Sequence, residues 1–160
     1  MNSAGLLADA FGRVREVVHE TVAGLSPALL HARLDPRANT IAWLAWHLTR
    51  IQDDHIADVA DEEQLWLSAG WADRFALPFP EAATGYGHTS KQVAAVKVES
   101  ADLLLGYYDA VHDRTVHFVR GLRNVDLDRV VDESWSPPVT LGVRLVSVVA
   151  EECACGGSWL

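Results

Sequence analysis

NTIAWLAWHLTRIQDDHIADV, residues 39–59, decides the fold of this chain, because it has the pattern of one long amphipathic helix. Asn39 is predicted to be the N-cap, and Thr40 is predicted to open the first turn. Apolar residues then recur at helical spacing and form one stripe: Ile41, Leu44, Leu48 and Ile51. The stripe predicts a helix that packs along its length in the core.

Polar residues interrupt this stripe. At 100° per residue His47, Asp54 and Asp58 lie on its flank, and His55 lies close to its centre. A buried imidazole or carboxylate costs several kcal/mol unless it is paired, hydrogen-bonded or bound to a metal. Two interpretations stay open here: core residues satisfied by a neighbouring helix, and a binding site.

Three further helical segments are predicted, at 4–24, at 90–122 with a new start at Ser100, and at 140–155. Four helices without a convincing sheet predict an all-α fold, an antiparallel four-helix bundle, in one domain over residues 1–160. Residues 71–89 carry prolines, glycines and aromatics, which predicts a long ordered loop between the second and third helices. Residues 126–140 predict an extended connector or a short strand pair. The fourth helix is apolar on most of its circumference, so it is expected to be the most buried.

Composition excludes several classes of function. The net charge of −9 argues against a nucleic-acid partner. No apolar run approaches 18 residues and no signal peptide is evident, so we expect no membrane span and a cytoplasmic location. Cys153 and Cys155 lie two residues apart and are expected to be free thiols in a reducing compartment.

The fourth helix offers partners for His47. Glu151 and Cys155 are spaced i, i+4 and therefore lie on one helix face. With His47 they would form a set of nitrogen, oxygen and sulfur ligands that leaves an open position, as catalytic zinc sites do. Nickel, iron or manganese would suit related geometries. The helical wheel places Glu152 nearer the apolar face than Glu151, so the choice of carboxylate stays open.

Several long runs resemble one family. They are NTIAWLAWHLTRIQDDH, the pattern GW-x-x-RF-x-LP at 70–78, TGYGHT at 84–89, and LDRVVDESWSPPVTLGVRLVSVVAEE at 127–152. Together they cover most of the chain and resemble the DinB-like superfamily. More narrowly, they resemble its actinobacterial-type branch, near the N-terminal domain of mycothiol-dependent maleylpyruvate isomerase.

The resemblance implies a four-helix bundle of DinB-like type that binds a divalent metal, with zinc or nickel as the favoured ions. It implies that His47 and Glu151 are ligands, with Cys155 at the position where the family usually has His followed by x-G-Q. The implied function is that of a thiol-dependent S-transferase or isomerase, in which a mycothiol-like thiol attacks an electrophilic small molecule. Asp54 and His55, two turns beyond His47, are expected to bind the cofactor, and no catalytic residue is singled out.

An alternative follows from the substitution at Cys155. The chain would then be a metal-free helical bundle that binds a small ligand or serves as a dimerising protein. A homodimer is expected in either case, because a fourth helix that is apolar nearly all round leaves apolar surface to be covered.

Overall fold

The computed structural model describes residues 1–157, and the side chains of residues 1–154. The described elements are α1 (Ser3–Val22), α2 (Pro27–Leu30), α3 (Ile41–Ala60), α4 (Leu65–Ser68), α5 (Trp71–Phe75), α6 (Ser90–Ala95), α7 (Ala101–Arg120), a 3-10 turn (Asn124–Asp128), β1 (Val130–Asp132), β2 (Val139–Thr140) and α8 (Leu141–Gly157). The four long helices, α1, α3, α7 and α8, form the bundle, which confirms the predicted all-α class.

The order of the helices follows from the long connection between α3 and α7. The first halves of these two helices share one apolar cluster, and their second halves share another with the beginning of α8. The side chains of Gln52 and Thr115 are hydrogen-bonded at 2.8 Å between them. Thus α3 and α7 run in the same direction, because residues 61–100 return the chain to the end where α3 began. α8 runs antiparallel to α3.

α3 is the central helix of the bundle. Its N-cap is Thr40, one residue later than predicted, because the Thr40 hydroxyl accepts the amide N–H of Trp43 at 3.0 Å. Of its 20 residues 15 are buried, more than in α1 or α7. The expectation that the fourth helix is the most buried was wrong: α8 leaves Val143 54% and Val146 60% exposed. The reason is that residues 61–89 cover a face of α3, whereas one face of α8 stays open.

The connection after α3 is held by one buried carboxylate. Asp53 accepts the backbone amides of Leu65 at 3.0 Å and Trp66 at 2.8 Å. It also accepts the hydroxyl of Tyr107 and the guanidinium of Arg114, both at 2.7 Å. These four donors replace the water that a carboxylate loses on burial. Asp53 therefore fixes α3, α7 and the start of the connection relative to one another.

The rest of the connection is ordered by aromatic packing. Trp71 begins a helical turn within the segment predicted as a long ordered loop, and Phe75 in that turn is buried against Trp66 with 5.2 Å between ring centroids. The strand pair is present: β1 and β2 are antiparallel, with Val130 opposite Thr140 and Asp132 opposite Val139. None of the helices in the described part of the chain is long and apolar enough to cross a membrane.

Replacing Asp53 by asparagine tests this interpretation of the connection. The amide leaves the Arg114 and Arg50 cations without their buried counter-charge, so we expect the variant to lose about 3 kcal/mol in the free energy of unfolding. Urea denaturation followed by tryptophan fluorescence measures the loss. The matched control is Asp54→Asn, which should cost under about 1 kcal/mol, because the partly exposed Asp54 carboxylate accepts from Gln64 alone among the described residues. Equal losses in the two variants would contradict the role given to Asp53.

Candidate functional site

His47 is held in one orientation by the connection that covers α3. The imidazole is buried, and its Nδ1 atom lies 2.6 Å from the carbonyl oxygen of Thr84. A carbonyl oxygen can only accept, so in the neutral ring Nδ1 carries the proton and Nε2 keeps a free lone pair. Metal-binding histidines have this arrangement, in which a carbonyl fixes the ring and its tautomer.

Aromatic rings enclose the same imidazole. Trp43 stacks on His47 with 4.6 Å between ring centroids and 13° between planes. The indole N–H of Trp43 is 3.1 Å from Nδ1 of His88, which accepts it. Burial, and then the neighbouring His47, lower the pKa of His88 below its ordinary 6.5, so His88 is neutral at pH 7. The site therefore has two histidines, His47 and His88, beside stacked rings.

The backbone of the covering loop approaches His47 closely at Gly85. A Cβ at this position would lie 2.7 Å from Nδ1 of His47 and 3.1 Å from the rings of Trp43 and Trp46. Gly85 also has φ +94°, in the region that favours glycine. Both constraints require glycine in the turn that presents the Thr84 carbonyl.

Arg50 on α3 also holds the loop that contains Gly85. Its fully buried guanidinium donates to the carbonyl oxygens of Ala83 at 3.1 Å and Glu81 at 3.3 Å. The loop backbone from Glu81 to Thr84 is therefore bonded to α3 at three carbonyls, two through Arg50 and one through His47.

The two adjacent glutamates of α8 lie in different surroundings. Glu151 is exposed and lines a cavity of about 260 Å³ together with His55, Asp132 and Ser147. Glu152 is only 3% exposed, and neither of its carboxylate oxygens has a hydrogen-bond partner among the described residues. Burial, and then the neighbouring Glu151, raise the pKa of Glu152 well above its ordinary value.

A second unpartnered group lies near Glu152. The hydroxyl of Tyr108 on α7 is buried and has no hydrogen-bond partner among the described residues. Burial, and then the Glu152 carboxylate, raise the pKa of this phenol. The Glu152 carboxyl and the Tyr108 hydroxyl are thus two buried polar groups that no other described residue satisfies.

Helix geometry places Glu152 at nearly the same level as His47. The guanidinium of Arg144 on α8 is 3.1 Å from the carboxylate of Asp58 on α3. This contact gives the alignment of the two antiparallel helices along their axes. At 1.5 Å per residue, Glu152 lies about 12 Å beyond Arg144, and His47 lies about 16 Å before Asp58. By this estimate the two residues are offset by about 4 Å along the bundle.

The remaining predicted site residues are separated. Asp54 accepts from the Gln64 amide at 2.8 Å, and His55 faces the Glu151 cavity. The side chain of Cys155 lies outside the described residues. Among residues 1–154, no three His, Cys, Asp or Glu side chains are grouped so as to hold a metal ion.

Sequence reasoning missed His88 and Gly85, although both lie in TGYGHT, a run that it singled out. A histidine just after two glycines in a loop was the available signal. It also missed Arg50 and Asp53, because nothing in the sequence shows which distant groups satisfy a charge on a buried helix face.

The close approach at Gly85 can be tested against a second glycine in the same loop. Gly87 also has a positive φ, +73°, but a Cβ there would meet nothing within 4 Å. Gly87→Ala should therefore cost only the backbone strain, about 1 kcal/mol. Gly85→Ala should cost about 2 kcal/mol more, because it also displaces the His47 contact. Equal losses in the free energy of unfolding, measured by urea denaturation, would show that Gly85 is not in close contact with His47.

The buried Glu152 carboxyl is expected to make the free energy of unfolding depend on pH. Its pKa is raised in the folded state, so its contribution to the free energy of unfolding is most favourable below the unfolded pKa of about 4.3. That contribution falls as pH rises from there towards the folded pKa. In buffer with a metal chelator, Glu152→Gln should gain stability over wild type as pH rises from 4 to 7. Thermal unfolding measures this difference, and exposed Glu151→Gln is the control. Parallel stability curves for wild type and Glu152→Gln would contradict the prediction.

Comparison with known proteins agrees with this architecture. The family model described as the DinB superfamily matches residues 10–153. A solved structure, described as that of the conserved protein of locus from Enterococcus faecalis, has a TM-score of 0.91 and 31% sequence identity. That match covers 99% of this chain and 93% of the other. No curated protein matches the chain. The chain belongs to the DinB superfamily.

Proposed function

We propose that this chain is a divalent-metal-dependent enzyme of the thiol-dependent S-transferase or isomerase type, from the actinobacterial-type branch of the superfamily. The observation that carries the proposal is the Glu152 carboxylate, which is buried in the bundle without a hydrogen-bond donor among the described residues. An unpaired buried carboxylate is costly, and a cation is one of the few partners that offsets the cost.

His47 fits the same metal. Its Nε2 lone pair is free because Nδ1–H is committed to Thr84, and it lies on the side of α3 that carries Asp58 and His55, both directed at α8. An imidazole nitrogen and a carboxylate oxygen suit zinc and nickel. The proposed ligands are His47 and Glu152, with Glu151 as the rival carboxylate.

Cys155 is the proposed third ligand. It lies three residues after Glu152, and side chains at that spacing are neighbours on a helix. Position 156, four residues after Glu152, is a glycine and offers no donor. A thiolate at Cys155 would favour a thiophilic ion such as zinc.

The chemistry that this metal supplies when bound is a lowered pKa of a coordinated thiol or water at neutral pH. The chain's own contribution is positioning. The loop from Glu81 to Gly85 holds the imidazole in the binding tautomer, and Trp43 and His88 shield it from water. We propose that a mycothiol-like thiol is the cofactor and that an electrophilic small molecule is the substrate. Asp54 is engaged by Gln64, so His55 in the Glu151 cavity is the better placed of the two expected cofactor contacts.

A metal-free bundle is the second candidate function, and one observation favours it. With glycine four residues beyond Glu152, the fourth helix lacks one side-chain donor, and two protein ligands seldom retain zinc. Such a protein would bind a small ligand or dimerise.

We also propose a homodimer through the open face of α8, where Val143, Val146 and the 66% exposed Trp135 are accessible to solvent. Light scattering that finds only monomer at micromolar concentration would overturn it.

Metal stoichiometry separates the two candidate functions. We expect elemental analysis of tag-free protein to find about one zinc or nickel per chain, and Glu152→Gln and Cys155→Ala to lose most of it. Glu151→Gln is the matched control and should retain the metal. Cys155→His should hold or raise the metal content. Negligible metal in all of these proteins would overturn the enzyme proposal, and loss in Glu151→Gln alone would assign the ligand to Glu151.

The thiol is tested separately. In cobalt-substituted protein, an added low-molecular-weight thiol should increase the thiolate-to-metal charge-transfer absorption above that of the Cys155 thiolate, because the thiol occupies the open position. The probes are cysteine-derived thiols, and mycothiol is the first to be tested. A spectrum that no thiol changes, in protein that retains cobalt, would refute the thiol-dependent class and leave the metal site standing.

A further inference from the structure

A second cavity lies beside α2 and the first turns of α3. Its volume is about 520 Å³, within the range of small-molecule sites. Its walls are mainly apolar and include Leu25, Leu29, Ile41 and Leu44. Leu44 forms a buried wall, whereas Leu29 is 55% and Leu34 97% exposed at the rim. An apolar ligand would remove this rim from water, which is favourable in proportion to the area covered.

Two arginines line the same cavity, and neither forms a salt bridge with any described residue. Arg33 donates only to neutral acceptors: the Ser90 hydroxyl at 3.0 Å, the Ser90 carbonyl at 2.7 Å and the Pro36 carbonyl at 3.3 Å. Its Nε–H is buried without a partner among the described residues. Arg37 is exposed, and its guanidinium has no hydrogen bond in the described part of the chain. Two cations free of carboxylates are notable in a chain of net charge −9.

The nearest acidic residue in the sequence does not neutralise them. Asp35 lies between the two arginines along the chain, but its carboxylate accepts the backbone amides of Arg37 at 2.7 Å and Ala38 at 3.0 Å. That carboxylate therefore closes the turn before α3. The cavity keeps a positive edge beside its apolar wall.

We propose that this cavity binds a small amphipathic carboxylate, with its apolar body against Leu29, Ile41 and Leu44 and its carboxylate at Arg33 and Arg37. A guanidinium forms charge-assisted hydrogen bonds with a carboxylate, and the apolar wall supplies the remaining affinity. A cationic ligand would be repelled, and a neutral one would leave the arginines without a counter-ion.

This site is separate from the proposed metal centre. Neither His47 nor Glu152, nor any ring that encloses His47, lines the cavity. Binding can therefore be measured in the presence of a chelator, so that failure of the metal proposal leaves this one unaffected, and the reverse also holds.

The test is isothermal titration of the full chain with decanoate in chelator-containing buffer. Decanol and decyltrimethylammonium, with the same tail and a neutral or cationic head, are the matched ligands, and acetate lacks the tail. We expect decanoate to bind at least about tenfold more tightly than either long-chain comparator, and acetate not to bind detectably. No binding of decanoate, or equal affinity for decanoate and decanol, would overturn the proposal.

Variants assign the affinity to the cavity. Arg37→Gln removes an exposed guanidinium that has no hydrogen bond with any described residue, and it should weaken decanoate binding about tenfold while leaving decanol binding unchanged. Leu29→Gln should weaken both. Arg120→Gln is the matched control, because it makes the same charge change at the exposed end of α7. An equal loss of decanoate affinity in Arg120→Gln would mean general attraction to the protein, and would refute the site.

Discussion

The architecture around α3 depends on the buried pair of Arg50 and Asp53. Both side chains are essentially inaccessible to water, with 4.0 Å between the guanidinium nitrogen and the carboxylate oxygen. Neither charge could be buried alone at tolerable cost, and each is fully engaged by groups from outside α3. Asp53 binds the connection and α7, while Arg50 binds the loop carbonyls. One turn of helix thus fixes the connection after α3, which includes α4 and α5, against the bundle.

That constraint determines the chemistry available to His47. The loop secured by Arg50 presents the Thr84 carbonyl to Nδ1, and glycine at position 85 allows the close approach. The contrast with α8 is informative. Of the two buried acidic residues in the described part of the chain, Asp53 accepts four donors, whereas Glu152 accepts none. A saturated carboxylate stabilises the fold, and an unsaturated one at the level of a pre-oriented imidazole suits a ligand.

The sequence predicted the parts of this account that depend on periodicity. The stripe from Ile41 to Ile51 located α3. The polar interruption singled out His47, whose role as a metal ligand stays a prediction. The prediction named Glu151 as the ligand, with Glu152 as its rival. The different burial of the two could not be predicted, because α8 has apolar residues around most of its circumference and its open face is set by which helices pack on it. The partners of Arg50 and Asp53 lie 12 to 61 residues away and are produced by the tertiary fold.

The central claim is that His47 and Glu152 hold one metal ion between α3 and α8. The most direct measurement is a crystal structure of the zinc-loaded protein with an anomalous difference map at the zinc edge. The account predicts one strong peak about 2 Å from both Nε2 of His47 and a carboxylate oxygen of Glu152. A peak in the cavity of His55 and Glu151 would contradict it. So would the absence of a peak at His47 and Glu152 in protein that elemental analysis shows to contain zinc.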